Sequence, residues 1–119
     1  ARQWAIVTSA PRELALRRMA AAGIPVPEVM VTAEDVTAGK PDPAGYQLAA
    51  RRLGVEPAQC LIFEDATVGI LAAEAAGADL VIVTATHDQP IKTLHATLAG
   101  YDSVRVQVDA DGRLRLLAL

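Results

Sequence analysis

Short apolar stretches alternate along this chain with longer segments of helical period. Residues 3–8 (QWAIVT) form an apolar, β-branched run, which predicts a strand. Residues 12–22 then repeat at helical spacing, with Leu14, Leu16, Met19 and Ala20 as the apolar positions. Pro11 stands where a first helical residue belongs, because no partner for an N–H is needed there, and Gly23 ends the helix. Val29, Val31 and the intervening Met30 predict a second, very short strand. Residues 38–43 (AGKPDP) are a loop by composition, and Asp42 is placed to cap a helix over 43–53 that Gly54 closes. Residues 60–63 (CLIF) are a fully apolar strand running into Glu64 and Asp65. A helix over 67–76 follows, with Ile70, Leu71 and Ala75 expected inward and Gly77 at its end. Residues 80–83 predict another buried strand, and 87–100 a loop plus a weak helix. Val104, Val106 and Val108 alternate with polar residues, as do Leu114 and Leu116. Asp109-Ala110-Asp111-Gly112 between them is a turn signal, so the tail reads as a β-hairpin.

Apolar strands separated by helices imply an α/β domain with a parallel sheet covered on both faces, doubly wound and Rossmann-like. Right-handed crossovers place every strand's C-terminal end on one edge of such a sheet, where ligands bind. The 119 residues make one domain, with the motif-bearing α/β part over 1–85 and a tail over 86–119. A composition of 52% hydrophobic and 21% charged residues excludes disorder, and 3% aromatic requires an aliphatic, alanine-rich core. The net charge of −3 offers no basic face, which argues against a nucleic-acid partner. No apolar run reaches the ~18 residues of a membrane span. Cys60 is the single cysteine, so no internal disulfide can form, and a reducing, cytoplasmic setting is the expectation. The chain enters a buried-looking strand almost at Ala1, which suggests that it begins inside a larger domain.

Three post-strand segments carry candidate chemistry. Ser9 and Ala10 lie between a strand and a helix N-terminus, where a hydroxyl and backbone N–H groups make an anion site; the plainer reading of Ser9 is a helix cap. Lys40 stands between Gly39 and a Pro41-x-Pro43 brace, a stiff loop that would fix a positive charge against a phosphoryl oxygen; otherwise it is a surface lysine. Glu64 and Asp65 are adjacent carboxylates at the end of an apolar strand. Ionised oxygens beside a dry core need a compensating cation, and hard oxygens suit Mg²⁺. The alternative is that Asp65 caps the next helix while Glu64 is solvated. Taken together, hydroxyl, ammonium and carboxylates on one sheet edge describe a phosphate cradle with a divalent-cation site.

These segments resemble the haloacid dehalogenase superfamily, in its small sugar-phosphatase branch. The resemblance lies in residues 4–9 (WAIVTS), 39–46 (GKPDPAGY) and 62–70 (IFEDATVGI), and it covers about residues 1–85. It implies that Ser9 and the Ala10 backbone bind the transferring phosphoryl group. Lys40 would be the catalytic cation that neutralises it, and Asp65, helped by Glu64, would hold Mg²⁺. It further implies hydrolysis of a small phosphorylated metabolite through an aspartyl-phosphate. The family's nucleophile and general acid lie in an Asp-x-Asp after its central first strand. That strand and the substrate-selecting cap have no counterpart in these residues. The unpaired edges left behind would be covered by an N-terminal segment of the same protein or by self-association.

One Asp-x-Asp does occur, at Asp109 and Asp111, but its flanking alternation is that of a hairpin turn. Two other functions fit parts of the pattern. A phosphoacceptor signalling domain of the receiver type shares length, lysine and hydroxyl, but needs its acidic pair after the first strand. A non-catalytic phosphate-binding fragment needs only the cradle. His87 and His95 carry no metal-ligand spacing.

Overall fold

The computed structural model describes residues 4–84 and the strand segments Ala96–Leu98, Val104–Val108 and Leu114–Ala118. Its first half is β1 (Ala5–Val7), α1 (Arg12–Ala22), β2 (Val29–Val31) and α2 (Ala44–Leu53). There follow β3 (Leu61–Glu64), α3 (Thr67–Ala76), β4 (Asp79–Val83) and β5 (Ala96–Leu98), then β6 (Val104–Val108) and β7 (Leu114–Ala118). Each helix ends on a glycine in the left-handed conformation, Gly23, Gly54 and Gly77, where a Cβ would be strained. Pro11, expected as the first helical residue, instead precedes α1 as its N-cap, and the Ala44 amide donates to Asp42 Oδ1 at 2.9 Å, so Asp42 ties down the first residue of α2 from the position before its N-cap, Pro43.

The strands do not form one sheet. β1 pairs with β2, and β3 pairs with β4, which pairs with β5; every one of these pairings is parallel. The tail strands β6 and β7 pair antiparallel as a separate ribbon. Residues 109–113, with the expected Asp109-x-Asp111 turn, lie outside the described residues, as do His87 and His95. β5 corrects one expectation: part of the segment read as loop plus weak helix is a strand beside β4. Three residues are too few to show a period, so sheet pairing decides what the local pattern does not.

Helix α2 joins the two parallel sheets. It packs on β1 and β2 and also against α3. Its Tyr46 enters a core with Ala72, Ala73, Leu80 and Ile82, against which Val7 of β1 and Ile62 of β3 also pack. The inward faces of α1 and α3 differ from the sequence expectation. On α1, Ala15 and Met19 are buried, while Leu14 is exposed. On α3, Ala72 and Ala73 are 0% exposed, whereas Leu71 is 48% exposed. α3 is apolar nearly all round, so periodicity cannot choose its face. The small side chains Gly69, Ala72 and Ala73 let the helix lie close, and they face inward for that reason.

Candidate functional site

The segment after β1 turns sharply and is tied down from two sides. The Thr8 amide donates to Val31 O at 2.9 Å, and the Ala10 amide donates to Thr8 Oγ1 at 3.1 Å. From the other side, the Ala33 amide donates to Ala10 O at 3.1 Å. The first turn of α1 has no cap of its own. Its Arg12 amide instead donates to the Glu34 carboxylate, at 3.1 and 3.0 Å from the two oxygens. Ser9 therefore does not cap the helix; it is exposed and lines a cleft of about 180 Å³. Thr8, Lys40, Asp42 and Tyr46 line the same cleft.

Glu34 is itself held in place. The buried Thr32 hydroxyl lies 2.8 Å from Glu34 Oε2 and 3.0 Å from Asp35 Oδ2, and the Thr32 amide donates to Asp35 Oδ2 at 2.8 Å. The Thr32 hydroxyl above all, then the amides of Glu34 itself and of Arg12, hold the Glu34 pKa below its ordinary 4.5. Asp35 is likewise lowered, chiefly by the Thr32 amide. Sequence reasoning passed over this cluster. The signal was present: Thr32-x-x-Asp35 is the spacing of a reciprocal cap.

The loop before α2 brings Lys40 to the strand ends. Its ammonium donates to Val7 O at 3.3 Å and to Glu64 Oε2 at 2.8 Å. Val7 ends β1 and Glu64 ends β3, so one cation spans the C-terminal ends of two strands in different sheets. The ion pair is enclosed, with Lys40 and Glu64 side chains 14% and 10% exposed. Glu64 Oε2 also accepts from the Tyr46 hydroxyl at 2.5 Å, and Oε1 accepts from the Asp65 and Ala66 amides at 3.1 and 3.3 Å. Burial pushes the Glu64 pKa up, but hydrogen bonds from Lys40 and Tyr46 outweigh it and hold the carboxyl below its ordinary range. Burial, and then the Glu64 carboxylate, push the Tyr46 phenol well above its ordinary value, so it stays a neutral donor.

The expected site residues are therefore brought together in two linked groups. Ser9 and Lys40 face one cleft, and Lys40 joins it to Glu64. Asp65 is exposed beside Glu64 and is joined to it through its own amide. Asp65 immediately precedes Ala66, the N-cap residue of α3. A carboxylate at that strand end fits a hard cation such as Mg²⁺. Glu64 fits it less well, since four protein donors already occupy its two oxygens. Among the described residues no three Asp, Glu, His or Cys side chains converge on one point. Any ion at Asp65 would complete its shell from water, phosphate or groups beyond those residues.

Comparison with known proteins shows what this chain is similar to. A family model described as haloacid dehalogenase-like hydrolase matches residues 1–77. Hexitol phosphatase A of Escherichia coli is 48% identical over 87 residues, which are 73% of this chain and 40% of that protein. Validoxylamine A 7'-phosphate phosphatase of Streptomyces hygroscopicus is 49% identical over 84 residues, 70% of this chain and 39% of that protein. Among solved structures, CbbY from Rhodobacter sphaeroides in complex with phosphate superposes with a TM-score of 0.70 at 25% identity. That match covers 82% of this chain and 46% of the other. The chain thus spans about two-fifths of the length of the curated relatives it matches. Strand ends, bridging lysine and family match converge: the chain belongs to the haloacid dehalogenase-like hydrolases.

Proposed function

We propose that this chain carries the phosphate-holding half of a phosphomonoesterase acting on a small phosphorylated metabolite, of the sugar-phosphate or polyol-phosphate class. The observation that carries the reading is Lys40, whose ammonium is fixed between the ends of β1 and β3 in the cleft that Ser9 lines. Relatives named hexitol phosphatase A and validoxylamine A 7'-phosphate phosphatase support the substrate class. Family membership does not favour the receiver-like alternative.

In this reading the Ser9 hydroxyl and the Ala10 amide bind the phosphoryl oxygens, the amide exchanging its bond to Thr8 Oγ1 for one to the ligand. Lys40 offsets the charge that develops as the ester bond breaks. Asp65 would hold Mg²⁺, which supplies charge neutralisation for phosphoryl transfer. Glu64 holds the lysine rather than the ion. The nucleophilic aspartate belongs to a further strand seated between β1 and β3. Two observations support its place: these strands belong to separate sheets, and their ends are close enough for one lysine to touch both. That aspartate attacks phosphorus and the alcohol leaves; water then cleaves the aspartyl-phosphate.

The test is p-nitrophenyl phosphate hydrolysis with Mg²⁺, by the chain alone and by the chain joined to an N-terminal strand bearing Asp-x-Asp. We expect activity only in the joined form, with a loss of 100-fold or more on the order of one removed charge-stabilising group in Lys40→Ala. No activity in the joined form overturns the reading. So does activity of the chain alone that Asp109→Asn abolishes.

A further inference from the structure

We infer that Tyr46 and Gly69 are positioning residues for Lys40, acting through Glu64. The purpose of this device rests on the phosphate reading of the cleft; its geometry does not. A lysine ammonium rides on a flexible four-carbon stem, and a glutamate carboxylate is scarcely stiffer. An ion pair between two such groups would define no position. Here the carboxylate is anchored from the core. Tyr46 is buried among Ala72, Ala73, Leu80 and Ile82, so packing fixes its ring. Its hydroxyl donates to Glu64 Oε2 at 2.5 Å, the same oxygen that receives Lys40 Nζ at 2.8 Å. The amides of Asp65 and Ala66 hold the other oxygen. Lys40 then lies between two fixed acceptors, Val7 O and Glu64 Oε2, with its ammonium 5.0 Å from the Tyr46 ring centroid.

Gly69 makes room for this carboxylate. It lies inside α3 at an ordinary helical conformation, unlike the three left-handed glycines that end the helices. Glycine there weakens the helix relative to alanine, and no backbone angle asks for it. A Cβ at Gly69 would overlap the Glu64 carboxylate carbon and Oε2, the oxygen shared by Lys40 and Tyr46. The carboxylate accounts for the glycine. Tyrosine, glycine and glutamate, from α2, α3 and β3, thus set the cation in place before any ligand arrives.

The test uses the 119-residue chain uniformly labelled with ¹⁵N. Tyr46→Phe removes the hydroxyl alone, and Gly69→Ala displaces the carboxylate from the other side. We expect hydrogen exchange of the Lys40 ammonium to quicken roughly tenfold in each variant, the lower end of the factor by which losing an orienting partner weakens a site. We expect inorganic phosphate, titrated against the Ser9 amide signal, to bind about tenfold more weakly in both. A role confined to packing would lower the melting temperature and leave ammonium exchange unchanged, and that result overturns the inference. Should Tyr46→Phe fail to fold, Gly69→Ala and the wild-type Tyr46 hydroxyl proton decide instead. A hydroxyl proton that exchanges as fast as free phenol overturns the inference as well. If inorganic phosphate produces no shift in the wild-type chain, the phosphate reading falls, while the ammonium comparison still decides the positioning claim.

Discussion

Two glutamates, each tied to a loop at the strand ends, are held in opposite ways. Glu64 is enclosed, and a cation, a phenol and two amides saturate it. Glu34 is exposed, and its partners are a backbone amide at the start of α1 and one threonine hydroxyl. The first holds a charge that lines the cleft; the second holds a piece of backbone that the cleft is built from. Shielding from water makes the first arrangement strong and hard to disturb without loss. Exposure leaves the second weaker and open to screening by salt. One site therefore has a rigid cation and a loop tethered from outside.

The sharpest way to break this contrast is to remove the cation. Lys40→Met keeps the aliphatic stem and leaves Glu64 enclosed with its negative charge uncompensated. We expect a loss of about 3 kcal/mol, near the lower end for breaking an enclosed pair, since some solvent reaches both side chains. Urea unfolding measures it. A loss below about 1 kcal/mol would put Glu64 in the class of surface pairs and dissolve the comparison. The next effect lies on the other side. Thr32 is 1% exposed, and its hydroxyl serves two carboxylates. Thr32→Val should cost about 1.5 kcal/mol, as for a hydrogen bond to a charged group. It should also loosen the segment around Ala10, visible as faster amide exchange at Ala33, whose bond to Ala10 O crosses between the two loops.

The sequence made the placement of the candidate residues legible where residue type and position coincide. Ser9, Lys40 and Asp65 each follow or flank a strand, and strand ends of parallel sheets gather on one side. The caps Gly23, Gly54 and Gly77 and the tie at Asp42 were legible for the same local reason. What escaped was relational. Nothing adjacent to Tyr46 reveals that its hydroxyl meets Glu64, because that contact spans 18 positions. Nothing beside Gly69 in the chain explains it, since the carboxylate it accommodates comes from another element. The inward face of α3 was undecidable from a segment apolar on every side, and β5 was too short to show a period. The split of the parallel strands between two sheets lies in no local pattern at all.

The smallest effect concerns the charge of Glu34 itself. Glu34→Gln keeps an oxygen that can accept from the Arg12 amide and removes only the negative charge. Folding lowers the pKa of Glu34 below its ordinary 4.5, so the folded state resists protonation that the unfolded chain accepts. The stability from this group is then complete above that pH and drains away as pH falls through the lowered folded value. The variant has no such group to protonate. The two proteins should therefore differ modestly in unfolding midpoint at neutral pH and converge as pH drops well below 4.5. Asp35 also titrates in the acid range, but it is present in both proteins and its contribution largely cancels from the difference. Added salt at neutral pH should narrow the same gap, because the carboxylate is exposed. A gap that holds constant with pH would mean that shape, not charge, does the capping, and Glu34 would then differ from Glu64 in kind rather than in degree.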